Sequence, residues 1–568
     1  RMQSCLEAAG FHVEERSWLN PVAGLWSVHV AERDCPLLFS NGKGGSRLAA
    51  LASALGEFIE RAATHYFWSH YYFGEALSSE AFVHHPDERW FPLDEGERWP
   101  AELLTAELRE LYNPDDAIPA DMLVDRNSGR RDRGICALPF VRQRDGETVW
   151  FPVNIIGNLY VSNGMSAGNS PEEARAQALS EIVERHVKFQ VLREGLCLPD
   201  IPASVLARMP QLAKDVDALR QAGFGILVKD ASLGGRYPVA CIVLLNPKDH
   251  GCYVSFGAHP RFEVAFERTV TELLQGRSLK DLDVFVPPSF DNEQVADHHN
   301  LETHFIDSSG LISWDLFKEE SDFEFADWDF RGTSQEEFDH LIGIFHELEQ
   351  PVYIADYEHL GVYACRILVP GMSDIYPVED LLLANNTMGA HLRETILALP
   401  ALEWDAEQYM ALFDQLDEEG HDERTRVREL LGIAAAKGTA LHTLRVGELK
   451  AMLALAAGDL ESALDLIDWT MEFNQSVFPA DRAAYYRALR ACVELFLDEE
   501  RDPEQYRPVF ARMFGEETLA QAWANARGEA RFHGLEAADL SLSQFPLHQK
   551  LLAAYEKLQK AKRAHSWA

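Results

Sequence analysis

Residues 53–61 read Ser-Ala-Leu-Gly-Glu-Phe-Ile-Glu-Arg and residues 177–185 read Gln-Ala-Leu-Ser-Glu-Ile-Val-Glu-Arg, so five of nine positions coincide. Both stretches lie in Ala- and Leu-rich sequence that favours helix. In each, two glutamates stand three residues apart, Glu57 with Glu60 and Glu181 with Glu184, and a polar residue, Ser53 or Gln177, stands four before the first. That spacing sets the three side chains along one helix face. A third, degenerate copy occupies residues 268–276, Arg-Thr-Val-Thr-Glu-Leu-Leu-Gln-Gly. Here Arg268 takes the place of Ser53 and Gln177, Glu272 that of Glu57 and Glu181, and Gln275 that of Glu60 and Glu184.

The upstream context repeats too. Thirteen residues before the first glutamate of each copy lies a small-residue stretch: Asn41-Gly42-Lys43-Gly44-Gly45-Ser46, then Ser162-Asn163-Gly164-Met165-Ser166-Ala167-Gly168-Asn169, then Ser255-Phe256-Gly257-Ala258-His259-Pro260. Each follows a strand-like run, so three units of strand, small-residue loop and polar-faced helix are expected. A single Glu-x-x-Glu-Arg motif is ordinarily an exposed face whose Glu–Arg pairs contribute roughly 0.3–0.5 kcal/mol each. Repetition changes that expectation, because carboxylates one turn apart repel and several such helices brought together need a compensating cation. No Cys or His stands at ligand spacing among these glutamates. Oxygen-only ligation points to a hard ion, and Mg²⁺ commonly combines one or two carboxylates with substrate phosphates. Gly, Ser and Asn in the loops would let backbone N–H groups approach anionic oxygens, and a helix N-terminus adds about half a positive charge. Neither glycine stretch matches the P-loop or the dinucleotide-binding pattern.

At 568 residues the chain exceeds the roughly 250–300 at which one core stops growing, so two or more domains are expected. Up to about residue 400, apolar strand-like runs at 26–30, 37–40, 149–161, 238–245, 253–256, 352–356 and 362–369 alternate with helical patterns, which indicates a mixed α/β or α+β domain. Beyond residue 400, Ala, Leu and Glu dominate with helical periodicity, so residues 401–568 read as an all-helical domain. Within it, Leu453-Ala454-Leu455-Ala456-Ala457-Gly458-Asp459-Leu460-Glu461-Ser462-Ala463-Leu464 has the form of a tetratricopeptide helix-turn-helix junction, one copy of which leaves a repeat-like partner surface and a plain bundle both open. The fold class expected is therefore α+β, with a repeat-bearing domain over 1–400 and a helical domain after it.

Fifty-two Lys and Arg against 91 Asp and Glu give a net charge of −39, a field that repels nucleic-acid backbones and would attract a basic protein. Direct nucleic-acid binding is thus disfavoured. The eight cysteines are scattered without a C-x-x-C pair and read as small buried residues of a reducing compartment. No apolar run of membrane-spanning length exists and no signal core leads the chain, so a cytoplasmic location is expected. Arg1 precedes the first Met, which suggests a piece lacking its natural N-terminus. The pairs His84-His85 and Asp297-His298-His299 read as surface loops rather than metal ligands, and Trp99, Trp314 and Trp328 as loop or core anchors.

The segments 41–61, 162–185 and 255–276 resemble the ATP-binding framework of the YcaO superfamily, and the resemblance runs over most of residues 1–400. The helical C-terminal part, with His304-Phe305-Ile306-Asp307-Ser308-Ser309-Gly310-Leu311-Ile312-Ser313-Trp314, resembles the enterobacterial-type members. The resemblance implies a nucleotide sandwiched among the helices with Mg²⁺ held by glutamates. Position by position, it implies that Glu57, Glu60, Glu181 and Glu184 are metal-associated, with Glu173 and Glu272 as further members. Ser53, Ser166, Asn169, Gln177, Arg185 and Arg268 would contact ATP, and Arg268, Glu57 and Glu181 would carry catalysis.

By the same resemblance, ATP activates a peptide backbone amide by phosphorylation, with arginines as planar, permanently charged phosphate partners. Azoline-forming members end in a Pro-x-Pro-x-Pro tail, whereas this sequence ends Arg563-Ala564-His565-Ser566-Trp567-Ala568, which disfavours heterocycle formation. Family members also use an N-terminal lysine on the nucleotide, and no residue before Arg1 is present to supply it. Members of the enterobacterial type are associated with β-methylthiolation of an aspartate in small-subunit ribosomal protein twelve, as accessories to a radical methylthiotransferase. A basic ribosomal protein partner and a homodimer are therefore expected. Two alternatives stay open: a non-catalytic ATP-binding adaptor that recruits a protein through its helical domain, and a two-carboxylate hydrolase working without nucleotide.

Overall fold

The computed structural model describes residues 1–565 except 94–97, 129–130, 280–281 and 283; Ser566, Trp567 and Ala568, on which part of the tail argument falls, lie outside the described residues. The strands form three antiparallel sheets. β1 (Val13–Val22), β2 (Leu25–Glu32) and β3 (Phe39–Gly44) pair in that order. Next come β4 (Arg89–Phe91), β5 (Ile135–Arg142), β6 (Thr148–Pro152) and β7 (Met165–Gly168), followed by β8 (Gly225–Asp230), β9 (Val239–Leu245) and β10 (Cys252–Ala258), which make a sheet of their own. β11 (Tyr353–Tyr357) and β12 (Tyr363–Leu368) complete a six-stranded sheet in the order β4-β5-β11-β12-β7, with β6 on β5.

Each of β3, β7 and β10 runs into a helix that carries one copy of the repeat: Arg47–Ala63, Pro171–Glu194 and Phe262–Leu273. The first two start alike. Ser46 and Ser170 stand eleven residues before Glu57 and Glu181, and each side chain accepts the N–H three residues on, from Ala49 and Glu173, as helix N-caps do. The third copy has Arg261 at the same place with no side-chain cap, and Asp329 from a distant loop accepts the Phe262 N–H at 3.0 Å instead.

The three units close on one another. Each helix packs on its own strand and also reaches the strand of the next unit: the first helix reaches β7, the second β10, and the third β3. The result is a ring of three similar units whose helices converge at their polar faces.

The small-residue stretches correct the expectation of loops. They are largely strand, and Gly42, Gly44, Gly168 and Gly257 let the following helix pack close on the strand. A Cβ on Gly42 would lie 2.0 Å from the Ala50 carbonyl oxygen and 2.4 Å from the Ala54 nitrogen. One on Gly257 would lie 2.5 Å from the Ala265 carbonyl oxygen and 2.4 Å from Thr269 Oγ1. Equivalent serines strengthen the contact: Ser40 Oγ donates to the Ala54 carbonyl at 2.7 Å and Ser255 Oγ to that of Thr269 at 2.8 Å.

The run 149–161 also departs from expectation. β6 ends at Pro152, which has no N–H for the ladder, and the chain continues through a π-helical turn, Ile156–Tyr160, leaving it at Val161 with φ 51 and ψ −115.

Past residue 400 the described residues are helical apart from their connections. Helices Val446–Ala457, Leu460–Phe473, Ala480–Leu497 and Glu516–Ala526 stack in succession, and left-handed Gly458 (φ 80) with the Asp459 cap makes the turn between the first two. The last helix, Pro546–Ala564, leaves that stack. Its Leu551, Ala554, Tyr555 and Leu558 join the core that holds Phe58, Trp68, Phe73 and Val83, and Trp68 Nε1 donates to the Leu551 carbonyl at 3.0 Å. That helix covers His84 and His85, which are 4% and 3% exposed, so they are buried and not a surface loop. Trp99 is buried and Trp328 half-buried, whereas Trp314 is exposed. All eight cysteines are free, and all but half-buried Cys5 are buried.

Candidate functional site

The site grows from the facing polar sides of the three repeat helices. On the first, Glu57 pairs with Arg61 at 2.7 Å; on the second, Glu181 pairs with Arg185 at 2.5 Å. The arginines are held alike from outside, Arg61 over the ring of Tyr66 at 5.5 Å and Arg185 over that of Phe305 at 4.8 Å, with Arg185 also donating to Asn163 Oδ1 at 3.0 Å. Glu60 shows what this convergence does to charge. Burial pushes its carboxyl well above the usual range, and Glu181 and Glu57 push it further, against Arg61 and Arg185. Glu57 is raised too, by burial first, with Arg61 and Lys43 opposing. Carboxylates from two helices therefore share one partly buried space whose arginines do not offset them fully.

The third helix supplies the positive side. Arg268 donates to Gln177 Oε1 and stands 3.8 Å from Glu184, whose other contact is the backbone N–H of Ala258 at 3.2 Å. Lys43, half-buried on the face of β3 turned away from the first helix, pairs with Glu272. Burial pushes its ammonium down to about 8; Glu184, Glu57 and Glu181 act against that and Arg268 with it. Gln275 closes the arrangement by donating to the Asn41 carbonyl at 3.2 Å.

Of the residues expected from sequence, Glu57, Glu60, Glu181, Glu184, Gln177, Arg185, Arg268 and Glu272 lie in this one connected network of charges and hydrogen bonds. Ser53 is half-buried on the first helix, four residues before Glu57. Ser166, 1% exposed, sits in β7 opposite Cys365. Asn169 and Glu173 are exposed and bond each other at the start of the second helix, Asn169 N–H to Glu173 at 3.1 Å. Among the described residues no hydrogen bond ties Ser166, Asn169 or Glu173 to Glu57, Glu60, Glu181 or Glu184. Lys43 and Arg61 were missed. Arg61 was legible as the counterpart of Arg185 in the nine-residue repeat; Lys43 became visible only once its glycine-rich stretch proved to be strand, with Ser40, Gly42 and Gly44 under the helix and Asn41 and Lys43 on the other face.

The donor set suits a magnesium nucleotide. It is all oxygen, it carries negative charge in excess of its paired arginines, and cations line its other side. Mg²⁺ commonly keeps water and phosphate oxygens as ligands beside one or two carboxylates, and among the described residues no three Asp, Glu, His or Cys side chains are grouped to hold an ion. Glu57, Glu60, Glu181 and Glu184 are the residues of this set that could hold such an ion. Among the described residues no helix is long and apolar enough to cross a membrane.

Comparison with known proteins adds the following. Residues 41–373 match the family described as YcaO cyclodehydratase, ATP- and Mg²⁺-binding, and residues 389–564 match the YcaO cyclodehydratase C-terminal domain. The chain is 59% identical over 568 residues to the "Ribosomal protein S12 methylthiotransferase accessory factor YcaO" of Escherichia coli, covering 100% of this chain and 97% of that protein. It is 56% identical over 564 residues to an uncharacterized protein of Haemophilus influenzae, covering 99% of this chain and 96% of that one. Among solved structures, YcaO from Methanopyrus kandleri bound with AMPPCP and Mg²⁺ is 19% identical, with a TM-score of 0.40 over 65% of this chain and 88% of that chain.

Proposed function

The chain belongs to the YcaO family, which binds ATP and Mg²⁺, and from that premise we propose that its ring of repeat helices holds ATP and uses it to activate a peptide backbone amide by phosphorylation. The observation that carries this reading is the meeting of Glu57, Glu60 and Glu181 from two helices, with Arg268 and Lys43 facing them from the third helix and β3. Bound ATP would supply the transferable phosphoryl group and Mg²⁺ the charge that offsets it.

The chain's own residues bind and orient. Glu57, Glu60, Glu181 and Glu184 would hold the metal, with Glu272 and Glu173 at the margins. Arg268, fixed by Gln177, would present a planar guanidinium to phosphate oxygens. Arg185, fixed by Glu181 and Asn163, keeps the second helix's carboxylate in place. Ser53, Ser166 and Asn169 would complete the nucleotide contacts. Arg268, Glu57 and Glu181 thus carry the transfer by positioning and by charge rather than by covalent chemistry.

The 59% identity over nearly the full length of an S12 methylthiotransferase accessory factor supports the same accessory role here, with a ribosomal protein and a methylthiotransferase as partners. The net charge of −39 favours a basic protein partner. The helical region after residue 400 would serve partner binding or a homodimer. Calorimetry with ATP and Mg²⁺ on the full chain, repeated with Glu57→Gln and Glu181→Gln, tests the site: binding that needs Mg²⁺ and falls at least about tenfold in either variant is expected. Mg²⁺-dependent binding without ATP turnover, even with both protein partners present, would favour the adaptor reading over amide activation.

A further inference from the structure

A cavity lies beyond the C-terminal end of the first repeat helix, lined by Thr64, His65, His84, Ser128, Gly157 and Arg366 among others, with about 40 Å³ open to the centre of a water-sized sphere. It has room for a ligand of a few heavy atoms, since one water needs roughly 10–15 Å³ on that measure. Its walls are strained. The π-helical turn Ile156–Tyr160 forms one side, and such turns concentrate at functional sites. Val161, a β-branched residue, leaves that turn at φ 51, and His65 holds φ 64. Conformations of this kind each cost on the order of 1–3 kcal/mol and persist where the surroundings impose them.

Arg366, on β12, is 4% exposed and lines this cavity. Its guanidinium donates to the carbonyls of Ile156, at 3.2 Å, and Val161, and touches Met165 Sδ at 3.7 Å. Its buried Nε has no hydrogen-bond partner among the described residues. Burial pushes it down to about 10, and the ionisable groups acting on it are the phenols of Tyr357, Tyr66 and Tyr160. Among the described residues none of these is a carboxylate. The carboxylate that does line the cavity, Asp125, is taken up by Ser128 Oγ and by the N–H groups of Asn127 and Ser128. A buried cation with no anion is costly, and a ligand bearing one would relieve it. We propose that this cavity is a binding site for a small monoanion of the carboxylate type, with the Arg366 guanidinium as its charge partner. The cavity's lining includes none of the site glutamates, and the proposal does not rest on the ATP reading.

Titration calorimetry of the full chain with sodium acetate and sodium formate, at constant ionic strength, tests it. Saturable one-to-one binding of at least one of the two is expected. Gly157→Leu should abolish it: Gly157 lines the cavity, and a Cβ there meets only Asn386 Nδ2, at 3.9 Å, so the larger side chain starts in open space. Arg366→Lys should weaken it at least about tenfold. Arg268→Ala, at the phosphate-facing site, should leave it unchanged. Absence of saturable binding overturns the proposal, as does binding that survives Gly157→Leu or disappears in Arg268→Ala, which would put the anion at the nucleotide site. Should Arg366→Lys fail to fold, Gly157→Leu decides alone.

Discussion

Gln275 Nε2 on the third repeat helix donates to the backbone carbonyl of Asn41 in β3 at 3.2 Å, so the last unit of the ring is fastened to the first. The equivalent residue of the second helix, Glu184, instead accepts the N–H of Ala258 in β10 at 3.2 Å. One helical position thus makes the same inter-unit contact twice with opposite polarity, and the amide in the third copy is required because a carboxylate has no hydrogen to offer a carbonyl.

Gln275→Glu should therefore cost on the order of 1–3 kcal/mol, because it leaves the Asn41 carbonyl without a donor and sets a carboxylate against it. Urea unfolding of the metal-free chain measures this. Gln275→Met, which removes the donor without adding charge, should cost less; an equal or larger loss in Gln275→Met would show that side-chain packing, not polarity, matters here.

Glu60 should make the metal-free protein lose stability as pH rises. Its carboxyl is raised above the ordinary 4.5 in the folded state, so the folded chain binds more protons than the unfolded chain above that pH. Stability is then greatest below about 4.5 as far as this group is concerned, and declines toward neutral pH. Glu60→Gln should flatten that decline and raise neutral-pH stability by on the order of 1 kcal/mol, while weakening Mg²⁺-dependent ATP binding. Thermal unfolding in chelator across pH 4–8 (about that span) tests the sign.

Two glycines, Gly42 in β3 and Gly56 in the helix that follows it, should behave oppositely. Gly42→Ala drives a Cβ to 2.0 Å from the Ala50 carbonyl oxygen and should displace the first helix from β3, with loss of nucleotide binding. Gly56→Ala, inside the same helix with nothing within 4 Å of the added atom, should stabilise by up to about 1 kcal/mol. Circular dichroism melts of both variants provide the comparison.

His548 should make the chain acid-sensitive. Its Nε2–H donates to the Tyr72 carbonyl at 2.7 Å and its Nδ1 accepts the Ala434 N–H at 3.0 Å, so only the neutral ring fits. Burial, opposed by the Tyr72 bond, pushes it down to about 4 from 6.5. The unfolded chain therefore takes up a proton between those values that the folded chain refuses, and stability present above about 6.5 is lost as pH falls toward 4, by up to about 3 kcal/mol. His548→Gln should be less stable at pH 7.5 or so and show a smaller acid-side decline; an unchanged pH profile would contradict the assignment.

The ring was legible because its three copies share spacing within one chain, and Glu57, Glu181 and Arg268 could be aligned without any partner in view. What surrounds it was harder. β1 carries Glu14, Glu15 and Arg16 on an open strand with no apolar run, and so gives no strand signal. Lys43 was hidden because glycines that admit a helix look, in sequence, like glycines that admit an anion. His84 and His85 look exposed locally, being polar and followed by Pro86, and are buried by a helix more than 450 residues later. Contacts set by such long separations leave no local pattern to read.

The placement of helix Pro546–Ala564 has a consequence for how the molecule is made. The core containing Phe58 and Trp68 lacks a wall until Leu551, Tyr555 and Leu558 arrive, and Trp68 bonds to a residue 483 positions later. During synthesis this core therefore cannot close until nearly the whole chain has left the ribosome, and a product that ends before the last helix leaves its apolar residues uncovered.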